Sequence, residues 1–294
     1  MTKQSRILPE YDLDFEVVNR IPWFREELLA WFDSQGRSFP WREQGRTAYE
    51  VLVAEILLQR TTAAKVAWAY NAFLDRYPSW NALVQVSSEN LQEYLKPLGL
   101  WLQKAQVFQS LATAVEERAD SLPSSRSELE QLPGIGQYIA SAVLLTLYNQ
   151  PEPLVDVNMS RVLERFFGSR KLADIRYDPY LQTLSRRIVN SERSLQVNWA
   201  ILDLGALVCK NGTPLCLQCP LRAKCKFYKQ RTLRQVELPI ARVAEATTVY
   251  VVASSEDVCT SRTSGSTEIV SSPYSDLELS MDDTPMVDAP STPE

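Results

Sequence analysis

The chain has 294 residues, of which 45% are apolar and 23% are charged, a composition typical of globular proteins. It contains no histidine, which excludes serine–histidine and cysteine–histidine catalytic centres and every metal site that needs an imidazole. No apolar run reaches the length of about eighteen residues that a membrane-spanning helix needs, and the polar N-terminus predicts no secretion signal.

The acidity of the chain is concentrated near its C-terminus. The net charge is −5, but the residues after Lys229 contain four arginines and eleven acidic residues, which leaves about +2 for residues 1–229. Residues 230–294 are rich in Ser, Thr, Pro, Asp and Glu and predict an acidic, disordered tail with one apolar island at 247–252. The near-neutral body neither indicates nor excludes a nucleic-acid partner, because basic residues would have to cluster on one face.

The first part of the body predicts helices with recognisable starts. Pro22 is expected to begin a helix that ends near Gly36, after an extended segment over residues 1–20. Thr47 and Glu50 have the three-residue spacing of a capping box and predict a helix from Thr47 to about residue 60.

The rest of the body also predicts helices. Ser127 and Glu130 repeat the capping-box spacing before a turn at Pro133 and Gly134. Further helices are expected over residues 62–76, in two short pieces between 78 and 96, and over 103–119, 137–148, 157–167, 179–189 and 197–208. Because no convincing alternating strand occurs before residue 230, the predicted fold class of the body is all-α.

Pro133-Gly134-Ile135-Gly136 lies between two predicted helices. Glycines allow a tight hairpin and expose backbone N–H groups at the start of the next helix, where a phosphate oxygen can bind. An ordinary turn without a ligand has the same pattern, so the spacing alone leaves the two interpretations equal.

Two carboxylates stand out for opposite reasons. Asp156 precedes a helix, and the simpler interpretation is an N-cap, unless Asn158 caps the helix and leaves Asp156 free. Glu55 is a single charge within the apolar stretch 51–58, where burying an unpaired carboxylate is costly. It is either a buried ion pair with Arg60 or Arg161, or a carboxyl whose raised pKa suits general-acid catalysis.

Four of the five cysteines fall within seventeen residues, at positions Cys209, Cys216, Cys219 and Cys225. Four thiolates so spaced can hold a [4Fe–4S] cluster or a structural zinc ion, and the spacing does not decide between them. Lys210 is one of several basic residues around these cysteines, which form either a rim for DNA phosphates or a solvated surface. Cys259, in the tail, is expected to be a free thiol.

Taken together, the motifs resemble the helix-hairpin-helix DNA glycosylase superfamily, which contains endonuclease III and the A/G-specific adenine glycosylases. The resemblance covers roughly residues 22–229 and rests on the segments 39–42 (FPWR), 54–62 (AEILLQRTT), 132–136 (LPGIG) and 155–158 (VDVN) and on the four cysteines. It implies a six-helix barrel over 48–155, a cluster domain formed by 22–47 and 156–229, an N-terminal extension over 1–21 and a tail over 230–294. It also implies that the cysteines hold [4Fe–4S].

Tyr138 distinguishes between the subfamilies. Endonuclease III-like enzymes have a lysine at this position, which forms a Schiff base with the sugar, whereas adenine glycosylases typically have serine. Tyrosine cannot form an imine, so the resemblance implies a glycosylase without strong lyase activity. Tyrosine together with residues 54–62 most resembles the mismatch-specific thymine-DNA glycosylases.

The resemblance also implies roles for single residues. Asp156 is expected to stabilise the oxocarbenium-like sugar, Glu55 to protonate the leaving base or position water, and Tyr138 to contact the base or sugar. Leu102 is a further candidate for filling the gap left by a flipped base. The expected DNA-contacting residues are Gly134, Gly136, Gln137, Gln59, Arg60, Asn158 and Lys210.

The expected partner is double-stranded DNA with a mismatch, and a monovalent cation is expected at the hairpin. We expect a monomer that is cytoplasmic, and nucleoid-associated if the source is prokaryotic. Two alternatives stay open: an adenine glycosylase acting on A·G or A·8-oxoguanine pairs, and a DNA-binding module without catalysis. The residues after Lys229 are too few and too polar for the Nudix-like domain usual in enzymes that remove adenine opposite 8-oxoguanine, which disfavours the first alternative.

Overall fold

The computed structural model describes residues 11–233, and this part of the chain is helical without any strand. In chain order its α-helices are α1 Phe15–Gln35, α2 Ala48–Leu58, α3 Ala63–Arg76, α4 Trp80–Gln85, α5 Ser88–Leu95, α6 Trp101–Glu116, α7 Arg126–Leu129, α8 Gln137–Leu147, α9 Val157–Phe167, α10 Pro179–Val189 and α11 Ser194–Leu207. Short 3-10 turns lie at Pro40–Arg42, Lys96–Leu98, Cys216–Gln218 and Arg222–Lys224. The all-α prediction is confirmed for these residues; the predicted tail, its island at 247–252 and Cys259 lie outside them.

Helix starts were predicted well where the signal is local. The Thr47 side chain accepts a hydrogen bond from the Glu50 amide, and the Glu50 carboxylate accepts one from Thr47, which completes the predicted capping box. The second predicted box is wrong, because Ser125 rather than Ser127 caps α7, accepting from the Glu128 amide. Serine is a common N-cap, so both positions were plausible; because α7 begins at Arg126, the cap is Ser125.

Pro22 does not begin a helix but lies inside α1, which starts at Phe15. A proline within a helix removes one hydrogen bond and clashes with the preceding turn, at a cost of about 3 kcal/mol. Val17 and Ile21 precede the proline and share a buried stripe with Phe24 and Leu28. Their packing offsets the cost of the proline, so the tertiary structure overrides the local stop signal.

The described helices surround two apolar cores. The first core gathers side chains from α2 to α8, with the rings of Phe73 and Phe108 stacked at 5.0 Å near its centre. The second core is built from α1 and α9 to α11, where the Phe24 and Phe166 ring centres lie 4.9 Å apart. The exact domain boundaries at residues 48 and 156 stay a prediction.

Helix α8 connects the two cores. Ile139 and Val143 belong to the first core, whereas Ala142 and Leu145 belong to the second. Tyr138, at the start of α8, packs against both cores. The beginning of α8 and the residues before α9 therefore lie where the two packing units meet. Among the described residues, no helix is both long and apolar enough to cross a bilayer.

Candidate active site

A cavity of about 940 Å³ is lined by residues from the elements that form both cores. Its walls come from the loop before α2, from α2 itself, from the glycine hairpin, from the segment before α9 and from α11. The predicted site residues that line it are Glu55, Gln59, Gly134, Gly136, Gln137, Tyr138, Asp156 and Asn158. Arg60, Leu102 and Lys210 do not line the cavity.

The structure requires glycine at Gly134, whereas the space around Gly136 is open. Gly134 has a φ of +75°, and a Cβ atom there would lie 2.3 Å from Val107 Cγ1, so both backbone and packing require glycine. Gly136 has no heavy atom within 4 Å of the position of its missing Cβ atom. It precedes α8, whose N-terminus has no side-chain cap. Exposed amides at an uncapped helix start can bind a phosphate oxygen.

Asp156 caps α9 and also faces the cavity. Its Oδ1 accepts hydrogen bonds from the amides of Asn158 at 2.9 Å and Met159 at 2.7 Å, and its Oδ2 accepts one from Asn158 Nδ2 at 2.7 Å. Asn158 therefore supports Asp156 instead of replacing it as the cap. Burial raises the pKa of Asp156, although the bonds from Met159 and Asn158 act in the opposite direction.

Glu55 projects from α2 into the cavity and forms no ion pair within the described part of the chain. Arg161, one of its expected partners, instead donates to Asn158 Oδ1 at 2.9 Å and to the Cys209 carbonyl at 2.8 Å. The ion-pair interpretation of Glu55 with Arg60 or Arg161 is therefore wrong. Burial raises the pKa of Glu55 to about 7, and the charge of Arg42 opposes part of this rise. A carboxyl with this pKa can donate or accept a proton near neutral pH.

Tyr138 faces the same cavity as Glu55 and Asp156. Burial raises the pKa of Tyr138 well above its usual range, and the negative charges of Glu55 and Asp156 add to the effect. Its phenol therefore stays protonated and can donate a hydrogen bond. Protonated Tyr138 cannot act as a nucleophile, so its chemistry here is limited to packing and hydrogen bonding.

Sequence reasoning missed the pair formed by Arg42 and Asp203. Asp203 is completely buried in α11, and Arg42 binds it in a bidentate manner, with both N–O distances at 2.9 Å. The Arg37 amide and Nε each donate to Asp203 at 2.8 Å. Asp203 is the single charge within α11, which is the same signal that identified Glu55. The pair joins the loop before α2 to the second core and positions Arg42 beside the cavity.

The four cysteines are partly buried, and none of them forms a disulfide. Cys209 and Cys225 both contact Arg165, whose Nη1 lies 3.3 Å from Cys209 Sγ and whose carbonyl accepts from Cys225 Sγ at 3.4 Å. Burial raises the pKa of Cys219 to about 12, and the other three thiols add to this rise. Neighbouring buried thiols suit a group that takes them as thiolates. No three Cys, Asp or Glu side chains of residues 11–233 are arranged to hold one metal ion.

Comparison with known proteins assigns the family. The sequence pattern of the HhH-GPD superfamily of base excision DNA repair proteins matches residues 53–199, which include the second half of α2 with Glu55, the hairpin and Asp156. The chain belongs to this superfamily. A thymine-DNA glycosylase of Aeropyrum pernix is 38% identical over 214 residues, which cover 71% of this chain and 96% of the relative.

A second relative is named for a different base, and a solved structure has the same fold. The adenine DNA glycosylase of Homo sapiens is 32% identical over 72% of this chain, which spans 40% of that longer protein. The solved structure of a thermostable thymine-DNA glycosylase has a TM-score of 0.68 and 28% identity, and covers 72% of this chain and 98% of the other. The fold is therefore that of the HhH-GPD glycosylases along nearly the whole length of that neighbour.

Proposed function

We propose that this HhH-GPD protein is a monofunctional DNA glycosylase that flips a mispaired base out of duplex DNA and hydrolyses its N-glycosidic bond. Thymine or uracil opposite guanine is the proposed target. The convergence of Glu55, Tyr138 and Asp156 on one cavity carries the proposal, together with the similarity to thymine-DNA glycosylases. No lysine lines the cavity formed by the described residues, and a lyase of the endonuclease III type needs an amine there to form its Schiff base.

In the proposed reaction the base leaves while positive charge develops on the sugar. The Asp156 carboxylate stabilises that charge and orients the attacking water, because its hydrogen bonds to the start of α9 fix its position. Glu55 in its acid form protonates or hydrogen-bonds the departing base. Tyr138 donates a hydrogen bond to the base or packs against it.

The protein must first extrude the target nucleotide, which costs a few kcal/mol and is easiest at a mismatch. We assign Gln59, Arg60 and Leu102 to filling the vacated position. The backbone at Gly134, Gly136 and Gln137 would hold a phosphate, with Asn158 and Lys210 as further DNA contacts. A monovalent cation at the hairpin stays a prediction.

We further propose that Cys209, Cys216, Cys219 and Cys225 hold [4Fe–4S]. Cys209 and Cys225 both contact Arg165, so residues from the two ends of the four-cysteine segment lie near each other, as a four-thiolate site requires. When bound, a cluster would cross-link the loop that carries the four cysteines. Absorption of visible light by the purified protein, with iron and sulfide analysis, tests this assignment.

Base-release assays on duplexes with T·G, U·G, A·G and A·8-oxoguanine pairs test the proposed function. We expect thymine or uracil release, leaving an abasic strand that breaks only on alkali treatment. Release of adenine alone would favour the adenine glycosylase alternative, which the similarity to the human enzyme supports. Covalent trapping of the wild type by borohydride would contradict the monofunctional assignment.

Asp156→Asn is the sharpest variant for the assigned chemistry. Asparagine is also a good N-cap, so α9 and DNA binding should be retained while base release is abolished. Release that persists in this variant would refute the role of Asp156. Loss of DNA binding as well would indicate a folding defect.

A further inference from the structure

Lys104 is a buried cation that the proposed reaction does not use. It lies in α6 with 1% of its surface exposed. Its Nζ donates to the carbonyls of Leu57 at 2.9 Å and Leu98 at 3.2 Å, and to Thr61 Oγ1 at 2.7 Å. These three bonds use all three donors of the ammonium group, and no carboxylate binds it within the described residues. Burying an unpaired cation is unfavourable, so packing alone does not account for Lys104.

The three acceptors of Lys104 belong to two turns that are distant in sequence. Leu57 is in the last turn of α2 and Thr61 follows that helix, whereas Leu98 is in the 3-10 turn before α6. The Thr61 hydroxyl also lies 2.7 Å from the Leu98 carbonyl, so the two turns are in direct contact. Lys104 therefore closes a junction between the turn over 59–62 and the turn over 98–101.

Each of these turns contains a strained residue. Arg60 has a φ of +52° and Leu100 a φ of +50°. The backbone of residues other than glycine rarely adopts this left-handed conformation. Such conformations persist only where the surroundings fix them. The hydrogen bonds of Lys104 lie within three residues of both strained positions and can fix them.

Exposed side chains lie on the two turns and just after them. Gln59 and Thr61 line the cavity, and Arg60 next to them is exposed. The second turn contacts Thr61 through Leu98; Leu100 in this turn is 38% exposed, and Leu102 at the start of α6 is 56% exposed. Exposed apolar side chains can enter the space that an extruded base leaves.

We infer that Lys104 is a positioning residue that joins these two turns into one rigid wedge for base extrusion. This inference rests on the proposed glycosylase function. Lys104 does not line the cavity and acts through Thr61 and the two carbonyls. Loosening the junction should therefore slow extrusion while leaving the chemistry at Glu55 and Asp156 intact.

The test compares two duplexes that differ in the cost of extrusion. One holds uracil opposite guanine, and the other holds uracil opposite a tetrahydrofuran abasic analogue, where no pairing must be broken. We expect Lys104→Met to slow single-turnover release of uracil opposite guanine by about 100-fold, the size of effect that a displaced active-site group can cause. Release of uracil opposite the abasic analogue should stay nearly unchanged. Thr61→Val, which removes the shared hydroxyl, should show the same selectivity, and the two changes should not add.

Gln106→Met is the matched control, since it places the same side chain on the exposed face of α6 and should change neither rate. Equal loss on both duplexes, or no loss in either variant, would overturn the inference. If the Tm shows that Lys104→Met does not fold, the rates of Thr61→Val on the two duplexes test the inference alone. Failure of the wild type to release uracil from either duplex, with thymine also retained opposite guanine, would refute the proposed function instead.

Discussion

Helices α2 and α11 each contain one isolated carboxylate in an apolar stretch, and the structure treats the two in opposite ways. Glu55 of α2 has no ion-pair partner in the described part of the chain, and burial raises its pKa to about 7. Asp203 of α11 is completely buried, which by itself would raise its pKa, but the hydrogen bonds and charge of Arg42 and the hydrogen bonds of Arg37 lower that pKa below its usual range. The two carboxylates share one sequence pattern, and their partners shift their pKa values in opposite directions.

The largest expected effect comes from removing the charge of Glu55. Glu55→Gln should lower the rate of base release by about 10²- to 10⁴-fold, the usual contribution of a general acid. Its free energy of unfolding at pH 8 should not fall, because an unpaired buried charge has been removed. Single-turnover kinetics and urea unfolding measure the two quantities. A variant that keeps full activity but loses stability would reverse the comparison of the two helices.

The opposite result is expected for Asp203. Asp203→Ala should lower the free energy of unfolding by about 3–5 kcal/mol, because it leaves the guanidinium of Arg42 without its buried partner. Urea unfolding at pH 7 measures this loss. Asp174→Ala serves as the control, since Asp174 pairs with Arg176 on the surface and should change stability little. Equal stability of both variants would show that Asp203 is not a structural anchor.

The two carboxylates should also respond to pH in opposite directions. The pKa of Glu55 rises from 4.5 to about 7 on folding, so the native state holds a proton that the unfolded chain releases in this window. The contribution of Glu55 to the free energy of unfolding therefore decreases as the pH rises from 4.5 to about 7, by at most about 3 kcal/mol. The pKa of Asp203 falls below 3.8, so its contribution is present above this pH and is lost on acidification.

Measuring the free energy of unfolding of the wild type and of Glu55→Gln between about pH 5 and pH 8 isolates the pH dependence that comes from Glu55. The difference in free energy between the two proteins should change with pH in that range and become constant above it. A constant difference throughout would show that the carboxyl of Glu55 has an ordinary pKa in the folded protein.

Local signals in the sequence were sufficient for much of the fold. The capping box at Thr47 and the bounds of α9 and α10 match the predictions, because short-range hydrogen bonds and apolar periodicity determine them. Pro22 was misread because burial of the residues before it, which local patterns do not show, extends α1.

Without the family resemblance, the site was predictable only where one residue carried its own signal. Glu55 was identified from its apolar surroundings, and Asp203 carries the same signal but was not recognised. Its partner Arg42 lies 161 positions away, so the identity of the ion pair depends on the tertiary structure. The role of Lys104 is harder still to predict, because two of its three acceptors are backbone carbonyls, which no residue pattern reveals.

Arg42 connects the two carboxylates, and its replacement gives the smallest expected effect on base release. It binds Asp203 directly, and its charge lowers the pKa of Glu55 against the larger effect of burial. Replacing it by methionine, which keeps most of its apolar stem, should therefore raise the pKa of Glu55. Since Glu55 is proposed to act as an acid, the decline of base release at high pH should move to higher pH in Arg42→Met. The position of that decline on the pH axis is the readout, because the height of the profile also reflects the lost ion pair with Asp203. In Glu55→Gln/Arg42→Met the shift should disappear, and a shift that remains there would assign the titration to another group.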